Sequence, residues 1–168
     1  MIVSDLLRNR AARSLIYLAT KYEGIELVMV SPEGMTPEDS FMTYITEKNG
    51  LKVQQHHSVE AALQANNCSI DAIYMTRNQV EYGGDGWAEA DAHILKYDYK
   101  RYLNENTLIL HPLPRQEELP TAWDNHPTNL MWRQVRNGMW LRAALFLHVF
   151  GEDAHVLKEA QGMGLTAA

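Results

Sequence analysis

The chain has 168 residues, of which 46% are hydrophobic and 21% charged, and its formal net charge is −6. This length fits one domain with a sizeable core, and the composition excludes general disorder and collagen-like repeats. The sequence pI of about 5.6, with no cluster of Lys or Arg, argues against nucleic acid as a partner. The single cysteine excludes an internal disulfide framework.

The start of the chain leads directly into polar, arginine-bearing sequence, so no secretory signal peptide is predicted. The most apolar stretch, residues 139–150, is interrupted by Arg142 and His148. It is also shorter than the roughly 20 residues that a membrane span requires. We therefore expect a cytoplasmic protein that has no membrane partner.

Short apolar runs alternate with amphipathic segments along the chain. In chain order, the pattern predicts a strand at 1–3, a helix at 9–22, a strand at 25–30, a helix from 36 to about 48, a strand at 51–55, a helix at 58–65, strands at 70–75 and 107–110, and a helix at 130–150. Thr36 and Pro37 suit the N-cap and first position of the second helix. The alternation predicts an α/β fold, a Rossmann-like open parallel sheet with helices on both faces.

Ligands of such sheets bind beyond the carboxyl ends of the strands. The segments that directly follow predicted strands are 4–10, 31–34, 76–79 and 111–115, and three of these four contain arginine. The residues therefore predict an anion site at this edge of the sheet.

Two motifs occupy this predicted edge. They are Tyr74-Met75-Thr76-Arg77-Asn78-Gln79 after one strand and His111-Pro112-Leu113-Pro114-Arg115 after the next. Together with an early Asp5…Arg10…Ser14 segment and a late Asn137-Gly138-Met139, they make residues 1–151 resemble the second, aspartate-binding domain of the aspartate/ornithine carbamoyltransferase family. Residues 152–168 are expected to form a C-terminal tail.

The resemblance also distinguishes between substrates. Ornithine carbamoyltransferases carry a cysteine where this chain has Pro112, and they have a Ser-Met-Gly loop that is absent here. The resemblance to aspartate carbamoyltransferase therefore implies a dicarboxylic amino acid, L-aspartate.

The resemblance implies a role for each site residue. Arg10 and Arg77 would bind the two carboxylates of L-aspartate, and Gln79 would help to place the amino acid. The backbone carbonyls of Pro112 and Leu113 would accept hydrogen bonds from the nucleophilic amine and from the carbamoyl amide. A guanidinium binds a carboxylate through two parallel hydrogen bonds, which lysine cannot reproduce.

Two further residues of the proline motif would shape the site. In the family the Leu113–Pro114 bond is cis, which turns the neighbouring carbonyls toward the substrates. His111 suits a structural hydrogen bond at least as well as proton transfer. No residue is assigned with certainty as catalytic, because amine attack on carbamoyl phosphate chiefly requires aligned substrates and a stabilised oxyanion.

No cofactor and no metal ion are expected. The chain has no glycine-rich phosphate loop of the dinucleotide or Walker type. His56 and His57 are adjacent on a predicted strand, so their side chains point to opposite faces and do not readily bind one ion.

The chain departs from the family around Arg10. The usual Gly-Arg-Thr-x-His-Ser appears as Asn9-Arg10-Ala11-Ala12-Arg13-Ser14, and Arg13 could compete for the same anion. Residues 81–90 contain three glycines and suit either a mobile loop that closes over aspartate or an ordinary surface turn.

The carbamoyl phosphate domain of the family is expected to be absent, because its Ser-Thr-Arg-Thr motif does not occur here. Alone, the chain is expected to be inactive. The predicted last helix also carries an apolar face that needs a cover: a second copy, a separate chain, or residues 152–168. We therefore expect a homo-oligomer or a hetero-oligomer.

Three hypotheses follow from the sequence. The chain is the aspartate-binding part of an aspartate carbamoyltransferase, as a fragment or one chain of a split enzyme. Alternatively, it is a stand-alone, non-catalytic homologue that binds a ligand or a partner, or regulates one. In the third hypothesis it is an unrelated Rossmann-like binding module.

Overall fold

The computed structural model describes residues 1–3, 5–77 and 90–163. Its sheet has five parallel strands in the order β3-β2-β1-β4-β5. The strands are β1 (Ile2–Val3), β2 (Glu26–Val30), β3 (Lys52–His56), β4 (Ala72–Met75) and β5 (Leu108–Leu110). The predicted open parallel sheet is confirmed, and the strand ends differ from the predicted ones by one or two residues.

The helices occupy the segments between the strands and the C-terminal part. They are α1 (Arg10–Ala19), α2 (Asp39–Thr43), which continues as a π-helical turn (Tyr44–Lys48), α3 (Val59–Ala65), α4 (Met131–Val149) and α5 (Asp153–Gly162). Short 3-10 turns lie at Ala90–His93, Tyr97–Tyr102 and Thr121–Trp123.

The start predicted for α2 is wrong by two residues. Thr36 is not the N-cap; that position belongs to Glu38, whose backbone stays extended at φ −61° and ψ 151°. The Glu38 carboxylate forms an ion pair with Arg13 of α1 at 2.9 Å. This ion pair with another helix favours an extended Glu38, so that α2 begins at the residue after it. The sequence pattern had predicted the N-cap at Thr36 instead.

Helices cover both faces of the sheet, as predicted. Along β2, Leu27 and Met29 belong to a cluster with Ala12 and Ile16 of α1. The alternate residues of the strand belong to the opposite cluster, which contains α3 and the segment before α4: Val28, Val30, Val59, Leu63, Trp123 and Met131. Both faces of β2 are thus buried, which explains its continuous apolar sequence.

The described chain divides into two compact units, Met1–Met131 and Trp132–Ala168. The first contains the whole sheet. The second consists of α4 after Met131 and of α5, which lies in the segment expected to be a tail. Among the described residues, no helix combines the length and apolar character that crossing a membrane requires. The division of the chain at residue 151 stays a prediction.

Candidate functional site

The candidate site lies where the order of the strands changes direction. The chain builds β1, β2 and β3 toward one side and then places β4 and β5 on the other side of β1. Val3 pairs with Met75, and Tyr74 pairs with Leu110, so the carboxyl ends of β1, β4 and β5 are neighbours. Ligands of open α/β sheets bind at such switch points.

A side-chain bridge joins the segments that carry the two arginines. Asn9 is the N-cap of α1, and its Oδ1 accepts a hydrogen bond from the N–H of Ala12 at 3.0 Å. Its Nδ2 donates to Oγ1 of Thr76 at 3.0 Å. Arg10 and Arg77 each directly follow one of the bridged residues. Arg10 is exposed and Arg77 is half-buried.

Arg13 is engaged by α2. Its guanidinium forms an ion pair with Glu38 at 2.9 Å, donates to the carbonyl of Leu7 at 3.3 Å, and lies 4.9 Å from the ring centre of Phe41. These contacts satisfy the charge of Arg13 within the fold, so the described geometry does not support the hypothesis that Arg13 competes with Arg10.

Asp5 shapes the connection between β1 and α1. Its side chain is fully buried, and Oδ1 accepts a hydrogen bond from the N–H of Arg8 at 2.9 Å. The Asp5 carbonyl accepts from the N–H of Asn9 at 3.0 Å. Asp5 therefore stabilises the turn that places Asn9 at the start of the helix.

The proline motif forms the third segment of the site. The Leu113–Pro114 bond is cis, as the resemblance predicted. Pro112 is exposed and Leu113 is half-buried. His111 is fully buried, and its Nδ1 accepts a hydrogen bond from the N–H of Leu113 at 2.9 Å. This hydrogen bond ties the imidazole of His111 to the backbone of the proline motif.

Glu118 is a buried residue of this segment that the sequence reasoning missed. Its Oε1 lies 3.0 Å from Nε2 of His111 and accepts a hydrogen bond from the N–H of Gln116 at 2.8 Å. Burial alone would raise the pKa of the Glu118 carboxyl. The hydrogen bonds from His111 and from backbone N–H groups outweigh burial and hold this pKa below its ordinary value.

Arg115, the last residue of the proline motif, is tied to Asp124. Nη2 donates to Oδ2 at 2.7 Å, and Nη1 donates to Oδ1, which makes the pair bidentate. The guanidinium lowers the pKa of the Asp124 carboxyl below its usual range. Arg115 therefore fixes the loop after β5 to the segment before α4.

Gln79 and the segment 81–89 lie outside the described residues. The described residues of the candidate site lie in three segments: 5–10, 76–77 and 111–118. Thr76 lay in a predicted site segment, but its contact with Asn9 was not predicted, because it arises from the pairing of strands. No spacing pattern in the sequence pointed to Glu118, whose contacts arise within an irregular loop.

The family described as "Aspartate/ornithine carbamoyltransferase, Asp/Orn binding domain" matches residues 1–149. This match covers most of the chain, and the chain belongs to this family. The hypothesis of an unrelated Rossmann-like module is therefore wrong.

Two similar proteins and one similar solved structure bear the name aspartate carbamoyltransferase or aspartate transcarbamoylase. The chain is 33% identical to aspartate carbamoyltransferase 1, chloroplastic, of Pisum sativum over 148 residues, which cover 86% of this chain and 37% of that protein. It is 31% identical to the aspartate carbamoyltransferase catalytic subunit of Clostridium botulinum strain Okra over 150 residues, which cover 88% of this chain and 48% of that subunit. The chain thus spans less than half the length of these relatives.

A solved structure of aspartate transcarbamoylase from Trypanosoma cruzi, in complex with N-(phosphonacetyl)-L-aspartic acid, matches with a TM-score of 0.75. The match has 25% sequence identity and covers 86% of this chain and 47% of that chain.

Proposed function

We propose that this chain is the aspartate-binding part of an aspartate carbamoyltransferase. The reaction transfers the carbamoyl group of carbamoyl phosphate to the amine of L-aspartate and gives N-carbamoyl-L-aspartate, as in pyrimidine biosynthesis. The observation that carries the proposal is the match of the Asp/Orn binding domain family to residues 1–149, in a fold that places the segments of Arg10 and Arg77 at one edge of the sheet.

In this proposal Arg10 and Arg77 bind the two carboxylates of aspartate, and Gln79 helps to place the amino acid. The exposure of Arg10 and the engagement of Arg13 by Glu38 support the assignment of Arg10. The carbonyls of Pro112 and Leu113 accept hydrogen bonds from the amine and the carbamoyl amide. Pro114 and His111 shape the loop that carries these carbonyls.

The reaction also requires a carbamoyl phosphate domain or chain as partner. The length of the chain, less than half that of the P. sativum and C. botulinum relatives, supports this requirement. An apolar surface on α4 supports it as well, since large side chains are exposed there: Trp140, Leu141, Leu145, Phe146 and Val149. The proposed assembly is therefore oligomeric, and no cofactor is proposed.

The proposed compartment is the cytoplasm, the expectation from a sequence in which no secretory signal peptide was predicted. The P. sativum relative is named as chloroplastic, so the compartment differs among members of the family. Microscopy of the tagged protein in its own cells tests this part of the proposal.

The test of the activity mixes this chain with a separately produced carbamoyl phosphate domain of the family and measures N-carbamoyl-L-aspartate by colour development. Product is expected from the mixture and from neither component alone. Arg77→Ala is expected to weaken the binding of a bisubstrate phosphonate by about 100-fold, because two charged hydrogen bonds are lost. Arg101→Ala, in the 3-10 turn before β5, is the matched control and should bind like the wild type.

The second candidate function is that of a non-catalytic homologue that binds a ligand or regulates a partner. The altered residues around Arg10 favour it, because glycine, threonine and histidine of the family motif are all replaced. In that case the mixture binds the phosphonate but forms no product. Unchanged phosphonate binding by Arg77→Ala would contradict the assignment of the site itself.

A further inference from the structure

His111 and Glu118 form a polar pair that is almost completely removed from solvent. Their exposed fractions are 0% and 1%, and Nε2 of His111 lies 3.0 Å from Oε1 of Glu118. Removing a carboxylate from water is costly unless hydrogen bonds replace those of the solvent. The hydrogen bond between His111 and Glu118 therefore replaces solvent contacts that the two buried side chains have lost. Leu119, the residue after Glu118, and Trp123 belong to the buried apolar core.

The two contacts of His111 determine where its proton lies. A backbone N–H can only donate, so Nδ1 must accept the hydrogen bond from Leu113. The proton of the neutral ring is consequently on Nε2, where it is donated to the Glu118 carboxylate. The carboxylate selects this tautomer, and the tautomer provides the acceptor for Leu113.

The hydrogen bond to Leu113 also orients a carbonyl group. The N–H of Leu113 and the C=O of Pro112 belong to one planar trans peptide group, in which they point in opposite directions. With the N–H directed at the buried His111, the Pro112 carbonyl points away from the buried ring.

Leu113 adopts an unusual conformation that needs such support. Its φ of 62° lies in the left-handed region, which leucine rarely occupies. Residues persist there when surrounding contacts over-determine them. The bond to His111 is one such contact.

Glu118 is itself anchored to the core by its backbone. Its carbonyl accepts a hydrogen bond from the N–H of Leu95 at 2.9 Å, and Leu95 is fully buried. The carbonyl of Leu95 in turn accepts from Nε1 of Trp123 at 2.6 Å. The backbone that carries the Glu118 side chain is therefore hydrogen-bonded to the buried core of the first unit.

We propose that Glu118 is a positioning residue that, through His111, orients the Pro112–Leu113 peptide group and so directs the Pro112 carbonyl at the substrate amine. The catalytic part of this inference, the hydrogen bond from the substrate amine to the Pro112 carbonyl, rests on the proposed function. The structural link from Glu118 to Leu113 can be tested without it.

The structural test uses the full chain labelled with 15N and compares Glu118→Gln and Glu118→Leu with the wild type. Glu117→Gln, at the exposed neighbouring residue, is the matched control. Two-bond correlation spectra report the tautomer of His111, and hydrogen exchange reports the protection of the Leu113 amide. Glu118→Leu should populate the other tautomer and raise the exchange rate of the Leu113 amide at least 10-fold.

Glu118→Gln keeps an oxygen acceptor and loses the charge, so it provides a test even where the leucine variant does not fold. It should keep the tautomer, shift the Nε2 proton resonance upfield, and raise the Leu113 exchange rate by about 3- to 10-fold. Wild-type values for the resonance and for the exchange rate in this variant would overturn the proposal.

The kinetic test uses each variant mixed with the carbamoyl phosphate domain. The carbonyl acts on the reacting amine, whereas the arginines bind the carboxylates, so kcat should fall while KM for aspartate stays within about twofold. We expect kcat to fall about 3- to 10-fold in Glu118→Gln, at least 100-fold in Glu118→Leu, and not at all in Glu117→Gln.

The outcomes separate the two proposals. No product from the wild-type mixture would refute the proposed function, while the spectra would still decide the link between Glu118 and Leu113. An active wild type with an unchanged kcat in Glu118→Gln would overturn the positioning role, whatever the spectra show.

Discussion

Asn9 and Thr76 are 67 positions apart in the chain and are joined by a hydrogen bond of 3.0 Å from Nδ2 to Oγ1. The bond connects the loop after β1 to the loop after β4. The family motif has glycine at the position of Asn9, and glycine has no side chain that could form this bond. The departure from the family motif therefore adds a connection at the candidate site.

Replacing Asn9 tests this connection. Asn9→Ala removes both the helix cap and the bridge, and should lower the free energy of unfolding by about 2 kcal/mol. Asn9→Ser keeps a capping oxygen but is too short to bridge, so about half of the loss is expected. Urea denaturation followed by circular dichroism measures both values. An Asn9→Ser variant as stable as the wild type would show that the bridge contributes nothing.

The Arg115–Asp124 pair should make stability depend on pH. The pKa of Asp124 is lowered in the folded protein from an ordinary value of 3.8. Its contribution is therefore fully present above pH 3.8 and is lost as the pH falls through the lower folded value. Relative to Asp124→Asn, the wild type should be more stable by about 1 kcal/mol at pH 7, and the difference should disappear in acid. A difference that is constant between pH 7 and the acid range would contradict this assignment.

Cys68 occupies a conformation that suits glycine. Its φ is 55°, and its side chain is exposed after the end of α3. Cys68→Gly should raise the free energy of unfolding by about 0.5–1 kcal/mol, because glycine adopts this backbone without a steric cost. Cys68→Ala keeps a Cβ and should leave stability unchanged. Thermal unfolding measures the stability of the wild type and of the two variants. A glycine variant less stable than the wild type would show that the cysteine side chain contributes to stability.

The apolar surface of α4 should contribute to association rather than to folding. Trp140 and Leu141 are 63% and 72% exposed. Replacing both by Gln should change the free energy of unfolding by less than about 0.5 kcal/mol, yet weaken binding to the carbamoyl phosphate domain. Arg136→Gln, at another exposed position of the helix, is the control. Titration calorimetry and urea denaturation measure the two effects, and a large loss of stability would show that the surface belongs to the folded core.

Most of the fold could be predicted from the sequence because buried parallel strands have a strong local signal. The runs at 25–30 and 70–75 are largely apolar, and each contains a strand of the structure, Glu26–Val30 and Ala72–Met75. The start of α2 could not be predicted in this way, because the pairing of Glu38 with Arg13 depends on a residue 25 positions away.

The site was predictable only in part. Arg77 and the proline motif directly follow strands, so their place at the carboxyl edge follows from topology. The contact of Glu118 with His111 spans an irregular loop that has no helical or strand periodicity. The sequence has a glutamate there, but the burial of its side chain results from tertiary packing that has no local sequence signal.

The border between β1 and β4 has a consequence for binding as well as for the sheet. Among the described residues, Ile2 and Val3 pair with Tyr74 and Met75, and the N–H of Thr76 donates to the carbonyl of Val3 at 3.1 Å. The loops that carry Arg10 and Arg77 continue from these two strands. In the proposed function, a diacid bound by both arginines would link the two loops and so stabilise the pairing of the strands from which they extend.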